Sequence, residues 1–184
     1  GVDKFEAVVV ATGKNFADAL AGSYLAVERN APILLTNGKD DNVAELHAYI
    51  KANVAEGGKV YILGGEAAVP ATVEAIRGYE VVRLFGDSRY DTGYAVADAL
   101  KVALGVDKFE AVVVATGKNF ADALAGSYLA VEKNAPILLT NGKDANVAEL
   151  HAYIKANVAE GGKVYILGGE AAVPAAVEAI DGYE

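Results

Sequence analysis

The chain contains no cysteine, which excludes both disulfide bridges and thiolate chemistry. That suits a bacterial surface protein that does without disulfides, and equally a cytosolic one. Methionine and tryptophan are missing as well. No apolar run approaches the roughly 20 residues needed to cross a bilayer, so no membrane partner is expected. With Gly1 in front and no initiating methionine, no signal peptide is read, and the chain has the look of a processed or excised piece. Positive charge is scarce: 16 Lys and Arg stand against 25 Asp and Glu, a net charge of −9. Nucleic acids and anionic membranes are held by clustered Lys and Arg, so neither is an expected partner.

Signatures of catalysis are missing too. Ser23, Ser88 and Ser127 are the only serines, and none lies in a Gly-x-Ser-x-Gly elbow. There is no Walker loop and no G-x-G-x-x-G after a strand. The first strand-like run ends in Ala-Thr-Gly and the third in Leu-Gly-Gly, without the acidic residues a metal-dependent site would need there. His47 and His151 fall mid-helix with no second ligand at metal spacing, and read as surface or half-buried helix residues. No enzyme activity, metal or cofactor is expected.

What the chain does have is repetition. Residues 1–80 return as residues 105–184, with four differences: Arg29 against Lys133, Asp41 against Ala145, Thr72 against Ala176 and Arg77 against Asp181. Residues 81–104, VVRLFGDSRYDTGYAVADALKVAL, occur once and form the seam. At 53% hydrophobic and 22% charged residues the chain is globular, and each copy is large enough to bury a core.

Within a copy, Glu6 to Thr12 is a valine-rich strand, followed by a turn and a helix with Asn15 as its expected cap. Ala31 to Thr36 is too short for a helix and reads as a second buried strand. Asn42 and Glu45 suggest the cap of a second helix ended by Gly57-Gly58, and Lys59 to Leu63 a third strand. Pro70 opens a third helix closed by Gly78, Glu80 to Leu84 is a fourth strand, and Ser88 with Asp91 caps a fourth helix. Strands apolar on both faces, alternating with helices, predict an α/β fold with a parallel sheet covered by helices on both faces. The expected units are residues 1–86, lacking the helix that precedes the first strand, and residues 87–184, lacking the fourth strand.

In such a sheet, ligands lie outside the carboxyl ends of the strands. Those ends are Thr12, Gly13, Lys14 and Asn15; Thr36 and Asn37; Gly64 and Gly65. The second copy repeats them as Thr116, Gly117, Lys118 and Asn119; Thr140 and Asn141; Gly168 and Gly169. Backbone N–H groups, amides and a lysine there suit sugar hydroxyls, a phosphate or a carboxylate, although glycine and asparagine equally serve turns and caps. In the seam, Arg89 and Tyr90 can grip an anion and stack on a sugar; alternatively Arg89 pairs with the neighbouring copy and Tyr90 packs between the two.

The blocks ATGKNFADALAGSYLA, APILLT, VYILGGEAAVP and VVRLFGDSRYDTG, in this order, resemble the type 2 cell wall binding repeat of Gram-positive surface-layer and cell wall proteins. The resemblance implies tandem Rossmann-like modules, an extracellular place at the cell wall, and non-covalent attachment to a secondary wall glycopolymer, generally anionic. The alternative is a structural spacer or self-assembly module of a surface array. Near-identity of the copies fits a recent duplication or a consensus, engineered repeat, and the absence of Met, Cys and Trp favours the latter. The incomplete ends lead us to expect self-association, head to tail or by exchange of residues 81–104.

Overall fold

A computed structural model describes residues 4–184. Copy one opens with strand β1, Phe5–Thr12, whose residues Val8 to Ala11 are wholly buried because helices cover both faces of the sheet. Two short helices follow, α1 (Ala17–Ala21) and α2 (Ser23–Glu28), separated at Gly22. Then come β2 (Ile33–Thr36), α3 (Asp40–Asn53), β3 (Val54–Leu63), β4 (Glu80–Leu84) and the long helix α4 (Arg89–Leu104). Copy two runs through β5 (Phe109–Thr116), α5 (Ala121–Ala125), α6 (Ser127–Glu132), β6 (Ile137–Thr140), α7 (Asp144–Asn157) and β7 (Val158–Leu167).

All strand pairs are parallel, in the orders β2-β1-β3-β4 and β6-β5-β7. Every neighbour must therefore be reached by a crossover, and the helices supply the cover that these apolar strands need. The expected tandem α/β architecture is the one observed. β4 pairs with β3 from Lys59↔Glu80 to Leu63↔Leu84, as its sequence suggests.

Helix α4 is the element shared by both copies. Its start is fixed by a capping box: Ser88 accepts from the Asp91 amide, and the Asp91 carboxylate accepts from the Ser88 amide. Gly105, in the left-handed region at φ 69°, ends it. Val96 packs with Val9, Leu25 and Leu63 of copy one, whereas Ala97 and Leu100 join Phe109, Leu138 and Leu150 of copy two. The Tyr94 ring stacks on Tyr153 of α7 with centroids 4.5 Å apart, and burial, chiefly, pushes both phenol pKa values up. This asymmetry explains why two identical strands differ: Leu139 of β6 is 1% exposed, but Leu35 of β2, with no such helix beside it, is 56% exposed.

Four local expectations are corrected. The helix expected after Pro70 is a single 3₁₀ turn, Ala71–Glu74, and the chain turns at Gly78 (φ 89°) before entering β4. Asn42 does not cap α3, which starts two residues earlier; its side-chain oxygen instead accepts from Thr36 Oγ1 and the Asn37 amide. Gly57-Gly58 lies inside β3 at an irregularity in its pairing with β1, and α3 already ends at Asn53. Asn15 also stands one residue outside the cap position of α1, though its Oδ1 still accepts from the Ala17 amide at 3.2 Å.

The α1–α2 break is set by close approach. A methyl group on Gly22 would overlap Leu63 Cδ1, and Leu63 is wholly buried and has no room to swing aside. Gly22→Ala is expected to lose about 1–3 kcal/mol by overpacking. Leu63→Val in the same chain should recover part of that loss, so that the two changes are non-additive in urea denaturation. An unchanged midpoint for Gly22→Ala would show that the contact yields.

Candidate functional site

The strand order reverses direction between β1 and β3, since β1 leads outward to β2 on one side and β3 leads to β4 on the other. Crevices for ligands form at such points, where the loops after the strands diverge. In copy one this crevice is a polar cavity of about 250 Å³. Asn15 and Asp18 line it from the β1 side, Gly64, Gly65, Ala67 and Ala68 from the end of β3, and Gly86 to Arg89 with Thr92 from the seam.

Of the residues singled out in the sequence, Asn15, Gly64, Gly65 and Arg89 meet in this cavity. Thr12 and Thr36 do not: both are buried, and their hydroxyls close the turns by accepting from the Lys14 and Gly38 amides. Gly13 donates its amide to the Thr36 carbonyl at 2.8 Å, and Asn37 Oδ1 accepts from the Lys39 amide. In copy two, Thr116, Thr140, Gly117 and Asn141 make the corresponding turn bonds. Lys14 and Lys118 are exposed at the ends of β1 and β5, and Asn119, Gly168 and Gly169 are exposed as well.

The seam pair faces inward. Arg89 Nη1 donates to the Gly117 carbonyl at 2.9 Å, and its guanidinium lies 5.7 Å from the centroid of the Phe16 ring. Tyr90 is half-buried against Gly117, where a Cβ would come within 2.7 Å of Tyr90 Cε1. One strand-end glycine of copy two is thus required by a side chain of the seam. His47 and His151 are half-buried and bond the carbonyls of Val73 and Val177, each at 3.0 Å.

Asp18 is not among the site residues singled out in the sequence. The structure buries it at 6% exposure, with its carboxylate against Gly64, whose φ of 100° and missing side chain make the room. Burial raises the Asp18 pKa, and the positive charge of Arg89 opposes that rise. The signal was available: an acid in the otherwise small, apolar stretch Ala-Asp-Ala-Leu-Ala-Gly that must lie flat on a sheet. The crevice therefore offers a guanidinium, a desolvated carboxyl group, the amide of Asn15 and glycine backbone, which match the donors and acceptors of a sugar.

The sequence profile of cell wall binding domain 2 (CWB2) matches residues 2–74 and 83–178, which takes in most of both copies. The chain belongs to this family. Its CWB2 modules place it outside the cell, at the cell wall. It is 34% identical over 143 residues to the N-acetylmuramoyl-L-alanine amidase LytC of Bacillus subtilis, covering 76% of this chain and 27% of that protein. It is 33% identical over 136 residues to the amidase enhancer of the same organism, covering 73% of this chain and 17% of that one. Among solved structures, Cwp8 from Clostridium difficile superposes with a TM-score of 0.77 at 33% identity, over 96% of this chain and 29% of Cwp8. Cwp6 from the same organism shares the fold, with a TM-score of 0.73 at 22% identity, over 98% of this chain and 28% of Cwp6. The CWB2 chain thus spans under a third of each of these proteins.

Asp18 provides a pH test. A carboxyl group whose pKa is raised on folding binds more protons in the folded state, so stability falls as pH rises from the ordinary carboxylate range through the raised value. Asp18→Asn removes that loss. The variant is expected to melt higher than the parent at pH 7 and to show no such gain at pH 3. A lower melting temperature at pH 7 would mean that the carboxylate is held in its charged form.

Proposed function

We propose that the chain attaches non-covalently, and without catalysis, to a secondary glycopolymer of the cell wall, through the crevice beside Arg89 and the exposed lysines at the ends of β1 and β5. The observation that carries this reading is the cavity where Asn15, Asp18, Gly64 and Arg89 converge at the strand-order reversal of a CWB2 module. Its mix of charged and amide groups suits sugar hydroxyls, and Lys14, Lys118 and Arg89 give an acidic polymer local cations on a chain of net charge −9. The surroundings of the serines support a binding role over a catalytic one. Ser88 Oγ is committed to Asp91, Ser23 donates to the Leu20 carbonyl and Ser127 to the Ala123 carbonyl, while both histidines bond backbone carbonyls. The amidase activity named for LytC is a property of that longer protein.

A second reading, an assembly or spacer module, is favoured by apolar surface at both ends: Leu35 and Val27 on copy one, Phe120, Leu124 and Tyr128 on copy two. Sedimentation with purified cell walls, with and without their secondary polymer, separates the two. Retention that disappears with the polymer supports attachment, and retention independent of it supports assembly.

Exposed ion pairs contribute about 0.2–1 kcal/mol each, so Lys14→Ala combined with Lys118→Ala is expected to weaken wall binding by about two- to thirtyfold. The melting temperature should not fall, and added salt should weaken binding by the parent protein. Arg89→Ala should reduce binding and also loosen the seam, because the same guanidinium bonds Gly117. Full retention of the double lysine variant on purified wall would remove the lysines from the site.

A further inference from the structure

In a folded protein nearly every buried polar group has a partner, and one that lacks a partner calls for an explanation. Most polar atoms that close the crevice of copy one are spent within the chain. Ser88 Oγ bonds the Asp91 carboxylate, Thr92 Oγ1 accepts from the Gly86 amide at 3.2 Å, and the Gly64 carbonyl accepts from Arg83 at 2.6 Å. Asp18 is the exception. It is 6% exposed and lines the cavity, yet no described residue donates a hydrogen bond to its carboxylate, and Arg89 is the only described charge that bears on it. Burial without a partner disfavours the ionised form, the direction in which its pKa is moved. An uncompensated cost of this kind is characteristic of functional sites, where the ligand supplies the missing partner.

The charges around the cavity narrow the ligand. Two carboxylates line it, the buried one of Asp18 and the exposed one of Asp87, against the single guanidinium of Arg89. Asp87 forms no ion pair among the described residues, and Lys14 lies outside the cavity. A phosphate or carboxylate alone would therefore enter a space of net negative charge. Arg89 spends one N–H on the Gly117 carbonyl and keeps the rest of its fork of donors. At about 250 Å³ the cavity falls below the roughly 300–1,000 Å³ of sites for drug-sized ligands, so it takes one sugar-sized unit and not a stretch of polymer.

We infer that this crevice selects a unit that carries a protonated amine beside its anionic group, with the ammonium on Asp18 and the anion on Arg89. On the attachment reading, from which this follows, the ligand is an amino sugar unit of the glycopolymer, charged in both senses. An ammonium has three donors and no acceptor, and its bonds to a carboxylate are about twice as strong as those between neutral groups. A hydroxyl in the same place donates to Asp18 but leaves the buried charge uncompensated. Asp18 is thus the specificity residue of the crevice, whereas the lysines outside it attract any polyanion.

The test titrates the parent chain at pH 7 with glucosamine 6-phosphate and with glucose 6-phosphate, which differ only in an ammonium against a hydroxyl group. The backbone amides of Gly64, Gly65 and Arg89 are followed by NMR. Glucosamine 6-phosphate is expected to bind about five- to tenfold more tightly. Asp18→Asn keeps the shape and removes the charge, and should bind the two sugars alike. Asp122→Asn, the matching change against Gly168 in copy two, should keep the preference. Equal affinities in the parent, a preference that survives Asp18→Asn, or amides that neither sugar shifts would each overturn the inference. Purified walls give a second arm. Acetic anhydride caps free amines, so retention of the parent should fall severalfold on capped walls while that of Asp18→Asn stays unchanged. Parent retention that ignores capping overturns the inference and leaves attachment standing. Retention independent of the secondary polymer removes the attachment reading, and this preference with it.

Discussion

The structure depends on the need of a parallel sheet to be covered on both faces by helices that its own crossovers deliver. Strands as apolar as these hold no stable arrangement as a bare sheet in water. Helix α4 meets this need for two sheets at once, with Val96, Ala99 and Ala103 turned to copy one and Ala97 and Leu100 turned to copy two. Its capping box and the paired Tyr94 and Tyr153 rings fix where it starts and how it sits. The small residues along it let one helix serve both neighbours, because neither has to stand off from a bulky side chain. The two modules are consequently joined through a common core element and not by a flexible linker.

Much of this was legible in the sequence. Val8 to Ala11 form a central strand because a run apolar at every position has to be buried on both faces. The Ser88–Asp91 cap followed from spacing alone. Asparagine at position 42 or 15 suggests a helix cap; the side chain of Asn42 instead ties down the β2 turn through Thr36, six residues away. The stretch after Pro70, which has the opening of a helix in sequence, makes only a 3₁₀ turn. Residue type suggests a cap or a helix, but which nearby group the side chain bonds decides the outcome, as Thr36 does for Asn42 and the Ala17 amide for Asn15.

The crevice was harder to read than the fold. Strand-end residues were correctly placed at one end of the sheet, but only some of them look into the cavity. Thr12 and Thr36 face the same end and are consumed in turn bonds. Asp18 is an acid in a stretch that the pattern marks as buried, and the fold sets its carboxylate against Gly64 at the edge of the cavity. Arg89 presents two aspects of one residue, since it lines the cavity while bonding the carbonyl of the next copy. A change at this guanidinium would therefore touch both the crevice and the contact between the modules.

Copies that are finished by their neighbours have a consequence for heredity. The strand of one module and the helix that covers the next are encoded side by side, so no point within the 104-residue period is a privileged boundary. A crossover between the two matching tracts, at whichever base pair it falls, adds or removes one whole period and leaves every surviving seam with the same partners. The number of modules is then free to change without a new interface having to evolve.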